Sequence, residues 1–328
     1  MTVPPTIAPD GRALVTGVAG FLGSRLAERL VAAGREVVGI DCFTGTRDLK
    51  EANLARLRGS DRFRLLELDL SRDSIEEAVA GARTIYHLAA QAGVRGSFGQ
   101  GFEAYLRNNV QATQRLLEAA LGSGVEALVY ASSSSVYGES EPGPTPESAA
   151  RRPVSPYGVT KCAVEDLAAV YHRQHGLPVV GLRYFTLYGP HQRPDMAFAR
   201  FIDAALAGRA IGILGDGLQE RDFTFVDDAI EGTIRAAERG RPGALYNIGG
   251  GIRTSLRAVI SMLETLLDAP VSVRHLARAR GDARQTCADP SLARAELGFE
   301  ARVRLADGLA RQLAWTLGGG LRGLPAAA

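Results

Sequence analysis

Short runs of apolar, β-branched residues alternate with longer amphipathic stretches over roughly the first half of the chain. The apolar runs predict β-strands at residues 13–17, 36–41, 63–69, 84–89, 127–132 and 179–184. The stretches between them carry apolar residues every three or four positions and predict helices, among them 22–33, 74–79, 105–121 and 157–175. Apolar strands separated by helices are typical of a parallel sheet. We therefore predict an α/β fold of the Rossmann type, with a doubly wound parallel sheet.

The pattern changes after residue 190. Helices are predicted at 198–207, from 227 onward, at 254–267 and at 305–317, with strands at 211–214 and 244–248. The last strand resembles a return to the main sheet, so we expect two interleaved domains. The nucleotide-binding domain would comprise residues 1–185 plus about 222–250. A smaller, C-terminal α/β substrate domain would comprise about 186–221 plus 251–328.

Composition narrows the class of protein and its partners. The chain has 328 residues, of which 46% are hydrophobic and 23% charged, as is usual for globular proteins. No apolar run reaches the ~18 residues of a membrane helix, and residues 1–11 lack the apolar core of a signal peptide. The 38 basic and 36 acidic residues include no long basic run, which argues against nucleic acid. We expect a cytoplasmic protein without membrane or nucleic-acid partners.

Cysteine and lysine are both used sparingly. Cys42, Cys162 and Cys287 are far apart, odd in number and without metal-ligand spacing, which predicts reduced thiols and no metal site. Among the 38 basic residues only Lys50 and Lys161 are lysines. Each lysine therefore raises the question of whether arginine could replace it. For Lys50 we find no special reason and expect a surface residue.

A glycine-rich segment, residues 17–23, follows the first predicted strand and opens the first helix. Gly17, Gly20 and Gly23 allow a tight turn, close backbone approach to a pyrophosphate and close helix packing, with the anion at the helix N-terminus. Asp41 ends the second strand, 18 residues beyond Gly23, where its carboxylate could accept hydrogen bonds from a ribose. Its charge would repel a 2′-phosphate, which favours NAD over NADP. The alternative is a solvated residue at a strand end.

A second candidate site begins at a helix start, Ser155-Pro156-Tyr157. Lys161 lies four residues after Tyr157, so the phenol and the ammonium share one helix face. The cation could stabilise a phenolate, lower the pKa of Tyr157 and make it a usable base. Such a pair also occurs on solvated helices. The hydroxyls of residues 132–135, at the end of a buried strand, are poor core groups and indicate a crevice instead.

Together, the glycine segment 17–23, Ser133, Tyr157 and Lys161 resemble the extended short-chain dehydrogenase/reductase family, in particular its nucleotide-sugar epimerases and dehydratases. Further matching segments are residues 87–90, 109–113, 188–190, 221–223 and 281–282. The resemblance covers nearly the whole chain. It implies NAD as a bound, regenerated cofactor and a UDP-sugar as substrate. It also implies a homodimer formed by the helices at 105–121 and 157–175.

The resemblance assigns roles to individual residues. Tyr157 would take the proton of a sugar hydroxyl, Ser133 would hydrogen-bond the reacting oxygen, and Lys161 would hold the nicotinamide ribose. Asn109 would support the neighbouring helix. The implied cofactor contacts, besides Tyr157 and Lys161, are Gly17, Gly20, Phe21, Leu22, Gly23, Asp41, Asp69, Leu70, Leu88 and Ala89. Asp69 could reach the adenine or could start a turn before Ser71.

The type of reaction depends on the residues after Ser133. Hexose 4,6-dehydratases of this family have Asp and Glu there, and UDP-glucuronate decarboxylases have Glu at the second position, whereas this chain has Ser134 and Ser135. Epimerisation needs no additional acid. The segment 182–197 closely resembles UDP-glucuronate 4-epimerases, by which Thr186 and Arg193 would contact the C6 carboxylate. A surface role for Arg193 is the alternative.

Other substrate contacts are implied less directly. Arg95 could lie near the sugar or pack its own loop. Arg221 would contact the diphosphate or ribose of the nucleotide, and Asp282 the ribose. The family's arginine near this point falls on Ala279 here, so we assign its role to Arg280.

These observations favour NAD-dependent 4-epimerisation of UDP-glucuronate to UDP-galacturonate, through a 4-keto intermediate and without decarboxylation. A UDP-glucose 4-epimerase and a UDP-glucuronate decarboxylase are the alternatives among enzymes. A non-catalytic NAD-binding sensor or scaffold is the alternative from a different functional class. Such proteins commonly lose the Tyr or the Lys, and this chain retains both.

Overall fold

The computed structural model describes residues 11–139, 143–278 and 281–320, and in this part of the chain twelve strands form three sheets. The strands are β1 (Arg12–Thr16), β2 (Val37–Asp41), β3 (Phe63–Glu67), β4 (Ala82–His87), β5 (Ala127–Ser133), β6 (Val179–Tyr184), β7 (Thr186–Tyr188), β8 (Ile211–Leu214), β9 (Glu220–Phe225), β10 (Leu245–Ile248), β11 (Arg253–Ser255) and β12 (Val273–Leu276). Seven of them form a sheet in the order β10-β6-β5-β4-β1-β2-β3, in which every neighbouring pair is parallel. The two smaller sheets are β11-β9-β7 and β12-β8.

The helices pack on both faces of the large sheet. They are α1 (Phe21–Ala32), α2 (Arg47–Leu54), α3 (Glu76–Val79), α4 (Phe102–Tyr105), α5 (Ala112–Ala120), α6 (Pro156–His175), α7 (Ala197–Leu206), α8 (Val226–Arg239), α9 (Leu256–Leu267) and α10 (Leu305–Trp315). Successive side chains of a strand point to opposite faces of the sheet, so the hydrophobic core is divided into two layers. Val15 of β1 faces the layer that contains α1 and α8, and Leu14 faces the layer that contains α5 and α6. The predicted doubly wound α/β fold is confirmed.

The strand order reverses between β1 and β4, because the chain leaves β1 towards β2 and β3 and leaves β4 towards β5 and β6. In doubly wound sheets the crevice at such a reversal, beyond the carboxyl ends of the strands, is where ligands bind. The cofactor-binding and catalytic residues predicted from the sequence lie at this edge. None of the helices in the described residues has the length and apolar character needed to cross a bilayer.

Several features differ from the predicted elements, and strands β7, β9 and β12 were not predicted. The helix predicted at 105–121 begins earlier, at Phe102, and contains a π turn, Leu106–Gln111, between α4 and α5. The helix predicted at 254–267 divides into strand β11 and helix α9. Helix α2 was not predicted, because its eight residues are mostly polar and the charged side chains hide a weak apolar periodicity.

Candidate active site

The glycine-rich turn between β1 and α1 is closed by contacts that exclude side chains. Gly17 has a φ of +67°, and a Cβ there would lie 2.8 Å from the backbone of Ala89 beyond β4. A Cβ on Gly23 would lie 2.2 Å from the carbonyl oxygen of Gly17. Gly20 precedes the first turn of α1, whose Phe21 is buried and whose Leu22 is half-buried. The backbone N–H groups of this turn form a cradle that fits the pyrophosphate of a dinucleotide.

Asp41, at the end of β2, is held directly beside this turn. Its carboxylate accepts hydrogen bonds from the backbone N–H groups of Ala19 (3.0 Å) and Phe43 (2.9 Å). Only 4% of its side chain is exposed, so the alternative of a solvated strand-end residue is wrong. The carboxylate thus ties the end of β2 to the glycine-rich turn.

Lys50 is the partner of Asp41, and the prediction of an unremarkable surface residue is wrong. Its Nζ donates to Asp41 Oδ1 at 2.7 Å, from one turn inside helix α2. The ion pair balances the charge of Asp41, so the repulsion of a 2′-phosphate is weaker than for an isolated carboxylate. The sequence did not predict this ion pair because it did not predict helix α2.

The remaining predicted cofactor contacts lie along the same edge. Leu88 and Ala89 continue β4 and are half-buried, and the N–H of Ala89 donates to Thr16 Oγ1 (3.2 Å). Asp69 accepts hydrogen bonds from the N–H and hydroxyl of Ser71, and these outweigh the effect of burial and lower the pKa of Asp69. Its contacts are those of a turn-starting residue, and the following Leu70 is buried.

The three candidate catalytic residues meet at the carboxyl end of β5. Ser133 is the last residue of β5; its hydroxyl donates to Ser135 Oγ at 3.1 Å and lies near enough to Tyr157 to oppose the rise in the pKa of the phenol. Tyr157 lies in the first turn of α6, which Ser155 caps by accepting a hydrogen bond from the N–H of Gly158 at 3.1 Å. Lys161 lies one turn later, with its Nζ 5.9 Å from the centre of the Tyr157 ring. The helix cap therefore fixes the phenol over the end of the strand.

The electrostatics of this group differ from the simple Tyr–Lys expectation. Burial raises the pKa of Tyr157, while the Ser133 hydrogen bond and the positive charge of Arg193 counteract that rise. Burial lowers the pKa of Lys161 to about 8, against an opposing effect of Glu165. The ammonium donates to the carbonyl oxygen of Ala131 at 2.7 Å. Ser133 and Arg193 thus oppose the effect of burial on the phenol, and Lys161 lies beside its ring.

Asn109 ties the segment after β4 to helix α6. Its amide nitrogen donates to Thr160 Oγ1 (3.0 Å) and to the carbonyl of Gln91 (3.1 Å), and its amide oxygen accepts from the N–H of Gln91 (2.7 Å). Thr160 is the neighbour of Lys161. The side chain thus has the supporting role that the resemblance implies.

Tyr105 is a site residue that sequence reasoning missed. Its ring packs edge-on against Tyr157, with ring centres 6.1 Å apart, and its hydroxyl donates to the carbonyl of Gly93 at 2.7 Å. It therefore joins Tyr157 to the loop that carries Arg95. A signal was available, because Tyr105 and Asn109 are four residues apart on one helix face.

A cleft of about 180 Å³ opens between α7, β8, β9 and the loop after β4. It is lined by four of the predicted substrate residues, Arg95, Thr186, Arg221 and Asp282. Ser134 and Ser135 form a half-buried turn directly after Ser133. Arg280 lies outside the described residues.

The arginines of this region are paired with aspartates of the same chain. Arg193 donates to Asp195 through Nε (2.9 Å) and Nη2 (2.8 Å). Burial alone would lower the pKa of Arg193, but Asp195 raises it further than burial lowers it. Arg221 makes a short ion pair with Asp282 and also donates to the carbonyl of Ala283. Both predicted anion-binding arginines are thus oriented by an aspartate of the same chain.

Comparisons with known proteins agree with this geometry. The sequence pattern of the NAD dependent epimerase/dehydratase family matches residues 13–249. A Bacillus subtilis (strain 168) protein named as the uncharacterized UDP-glucose epimerase YtcB is 41% identical over 92% of this chain and 96% of its own length. A UDP-glucuronate 4-epimerase of Thermodesulfobacterium geofontis is 37% identical over 93% of this chain and 96% of its own length.

Among solved structures, the UDP-glucuronic acid 4-epimerase from Bacillus cereus, in complex with UDP-glucuronic acid and NAD, superposes with a TM-score of 0.91. It is 41% identical, and the match covers 94% of this chain and 99% of that one. The resemblance inferred from the motifs is confirmed, together with the expectation of an NAD-dependent enzyme. The chain belongs to the NAD dependent epimerase/dehydratase family.

Proposed function

We propose that the chain is an isomerase that interconverts UDP-glucuronate and UDP-galacturonate by NAD-dependent epimerisation at C4. The observation that carries the proposal is the position of Arg193 near Tyr157, where burial raises the pKa of the phenol and the arginine charge opposes that rise. A base for the C4 hydroxyl and a cation for the neighbouring C6 carboxylate thus share one site. The named relatives and the Bacillus cereus complex support the same substrate class.

The cofactor would be held by the glycine turn, by Asp41 and by Lys161. When bound, NAD supplies the oxidation at C4 and the subsequent reduction from the opposite face of the sugar. Lys161, buried under the nicotinamide side of the crevice, would hydrogen-bond the nicotinamide ribose. Asp41 would receive the adenosine ribose, and Leu88 and Ala89 would line the path between them.

Tyr157 would remove the proton of the C4 hydroxyl while Ser133 hydrogen-bonds the same oxygen. The resulting 4-keto sugar rotates in the cleft and presents its other face. Tyr157 then returns the proton to the new C4 hydroxyl. Because Tyr105 and the cap at Ser155 fix the phenol, the same base serves both half-reactions.

The carboxylate creates a competing reaction, because a 4-keto uronic acid is a β-keto acid that can lose CO₂. We propose that Thr186, Arg193 and a hydroxyl from Ser133, Ser134 or Ser135 hold the carboxylate out of alignment with the carbonyl π system. The effect is one of positioning. Ser135 cannot act as the carboxylic acid that the decarboxylases and dehydratases of the family have in this turn.

The nucleotide would bind across the cleft from the catalytic group. Arg221 is suited to the diphosphate and Asp282 to the ribose, since both line the cleft at its β9 side. Arg280 is proposed as a further contact by resemblance alone. We also propose that residues 186–221 and 251–328 form the substrate unit around this cleft.

A homodimer is proposed from the surface of α4 to α6. Leu106, Val159 and Val170 are apolar residues with 44%, 49% and 43% of their surface exposed on these adjacent helices. A second copy of the chain would cover them as a four-helix interface. The three unpaired cysteines favour a cytoplasmic enzyme.

Proton NMR of the purified protein with UDP-glucuronate, without added reductant, tests the proposal. We expect a new anomeric signal from UDP-galacturonate. A signal from UDP-xylose or a 4-keto pentose would indicate a decarboxylase. Turnover of UDP-glucose with no change in UDP-glucuronate would indicate a neutral-sugar epimerase.

A further inference from the structure

Asp195 uses only one edge of the Arg193 guanidinium. Its two oxygens accept from Nε and Nη2, which form the lateral edge of the fork. Within the described part of the chain, Nη1 donates no hydrogen bond. An arginine can bind a second carboxylate through its Nη1/Nη2 edge while the first remains in place. Asp195 therefore does not have to leave when an anionic substrate arrives.

The backbone around Arg193 is held independently of Asp195. Gln192 is buried and donates to the carbonyl of Leu187 (3.0 Å), and its amide oxygen accepts from the N–H of Ala199 at 3.0 Å. The carbonyl of Arg193 itself accepts from the N–H of Met196. Among the described residues, only Asp195 hydrogen-bonds the Arg193 side chain. The loop therefore keeps its shape without Asp195, whereas the guanidinium loses its orientation.

The charges near Asp195 also support a role for it in orienting Arg193. Burial raises the pKa of its carboxyl, but Arg193 and then Arg95 lower it below its usual range, so it is a carboxylate near neutral pH. Asp195 thus pairs with Arg193 and also feels the positive charge of Arg95. Removing it would leave both arginines free to move towards any anion, in more than one geometry.

We propose that Asp195 is a positioning residue that fixes Arg193 so that its free edge holds the C6 carboxylate, and that it thereby suppresses loss of CO₂. The inference rests on the proposed function and deepens it. In the suppressed reaction the C5–C6 bond breaks and CO₂ leaves. The electron pair of that bond passes into the C4 carbonyl as an enolate, and C5 takes a proton from water. The oxidation at C4 then remains unreversed, and a 4-keto pentose is released.

The test compares Asp195→Ala and Asp195→Asn with the wild type. Products are resolved by NMR, kcat and KM are measured, and UDP-glucuronate and UDP-glucose affinities are determined by calorimetry. For Asp195→Ala we expect the 4-keto pentose fraction to rise by about tenfold, because small misplacements of a positioning group have effects of this size or more. UDP-glucose affinity should stay unchanged. Asp195→Asn, which keeps one acceptor oxygen, should give an intermediate fraction.

Asp203→Asn is the matched control, because Asp203 is an exposed aspartate on α7 that pairs with Arg209. It should leave the product ratio unchanged, and the melting temperatures of all variants should agree within a few degrees. If Asp195→Ala folds and gives the wild-type product ratio, Asp195 has no positioning role. If the wild type itself leaves UDP-glucuronate unchanged, the proposed function fails first, and the two failures are thereby distinguished.

Discussion

The cofactor side and the sugar side of the crevice are built in different ways. On the cofactor side, backbone meets backbone, as at Gly17 against Ala89, and nothing larger than hydrogen fits. On the proposed sugar side, two of the arginines predicted to bind substrate are each paired with an aspartate of the chain. The pairs are Arg193 with Asp195 and Arg221 with Asp282.

The difference follows from what each side must do. A cofactor that is regenerated in every cycle can remain in a rigid cradle, whereas a substrate has to enter, rotate and leave. Pre-paired arginines keep their charge and direction without trapping the anion, because each pair is close to neutral. In the proposed function, close backbone contacts would therefore select the cofactor, and the placement of charges would select the sugar.

The largest effect is expected where the two sides meet, at Lys161. Its side chain is buried, and its Nζ donates to the carbonyl of Ala131 at 2.7 Å, whereas a guanidinium is larger and planar. Lys161→Arg should lower kcat by about 1000-fold, within the range of lost acid–base assistance, while the fold is retained. Lys50→Arg is the control, because a partly exposed arginine can still pair with Asp41. Near-normal kcat in Lys161→Arg would refute the need for a compact ammonium.

A smaller effect is expected from Gly17→Ala, which acts on the cofactor side alone. The new Cβ would meet backbone 2.8 Å away, so the turn has to shift and NAD affinity should fall by about 100-fold. Gly34→Ala separates this contact from backbone strain, since Gly34 also has a positive φ but no atom within 4 Å of its Cβ position. Equal NAD affinity in the two variants, measured by calorimetry, would show that the close approach is unimportant.

The smallest effect is expected from His191, which connects the loop after β7 to the glycine-rich turn through Asn53. His191 Nδ1 lies 2.9 Å from Asn53 Oδ1, and Asn53 in turn donates to the carbonyl of Ala19 in the glycine turn. Burial, followed by the charges of Arg25 and Arg56, lowers the pKa of His191 to about 4.

In the unfolded chain His191 binds a proton below about pH 6.5, whereas in the folded protein it stays neutral down to about pH 4. The unfolded state therefore binds more protons in this window, and the free energy of unfolding falls as pH decreases. We expect a loss of about 2 kcal/mol or less from this group between pH 6.5 and 4. The free energy of unfolding, measured by denaturant titration at several pH values, should depend more steeply on pH for the wild type than for His191→Gln. Equal pH dependence in the two proteins would contradict the assignment.

Sequence patterns predicted the main strands and the turns that begin the helices, because these features depend on local periodicity. The six strands from β1 to β6, the glycine turn and the cap of α6 are each encoded within a few neighbouring residues. Lys50 was misjudged because its role depends on a short polar helix that brings it back to Asp41. Long-range partners have no local signature either, as with Arg221 and Asp282, which are far apart in sequence and form one ion pair.

The electrostatic origin of the Tyr157 environment was also beyond sequence reasoning. Spacing alone pointed to Lys161 as the group that tunes the phenol. The fold brings Arg193 from a separate loop to the same phenol and turns the Lys161 ammonium to the Ala131 carbonyl. The contribution of Arg193 therefore depends on the tertiary arrangement.

The central claim is that Arg193, on the sugar side, decides the fate of the 4-keto uronic acid. Its most direct test is NMR analysis of the products that the wild type and Arg193→Ala form from UDP-glucuronate. We expect UDP-galacturonate from the wild type and a substantial 4-keto pentose fraction from Arg193→Ala. Unimpaired turnover of UDP-glucuronate by Arg193→Ala, with no pentose product, would contradict the account.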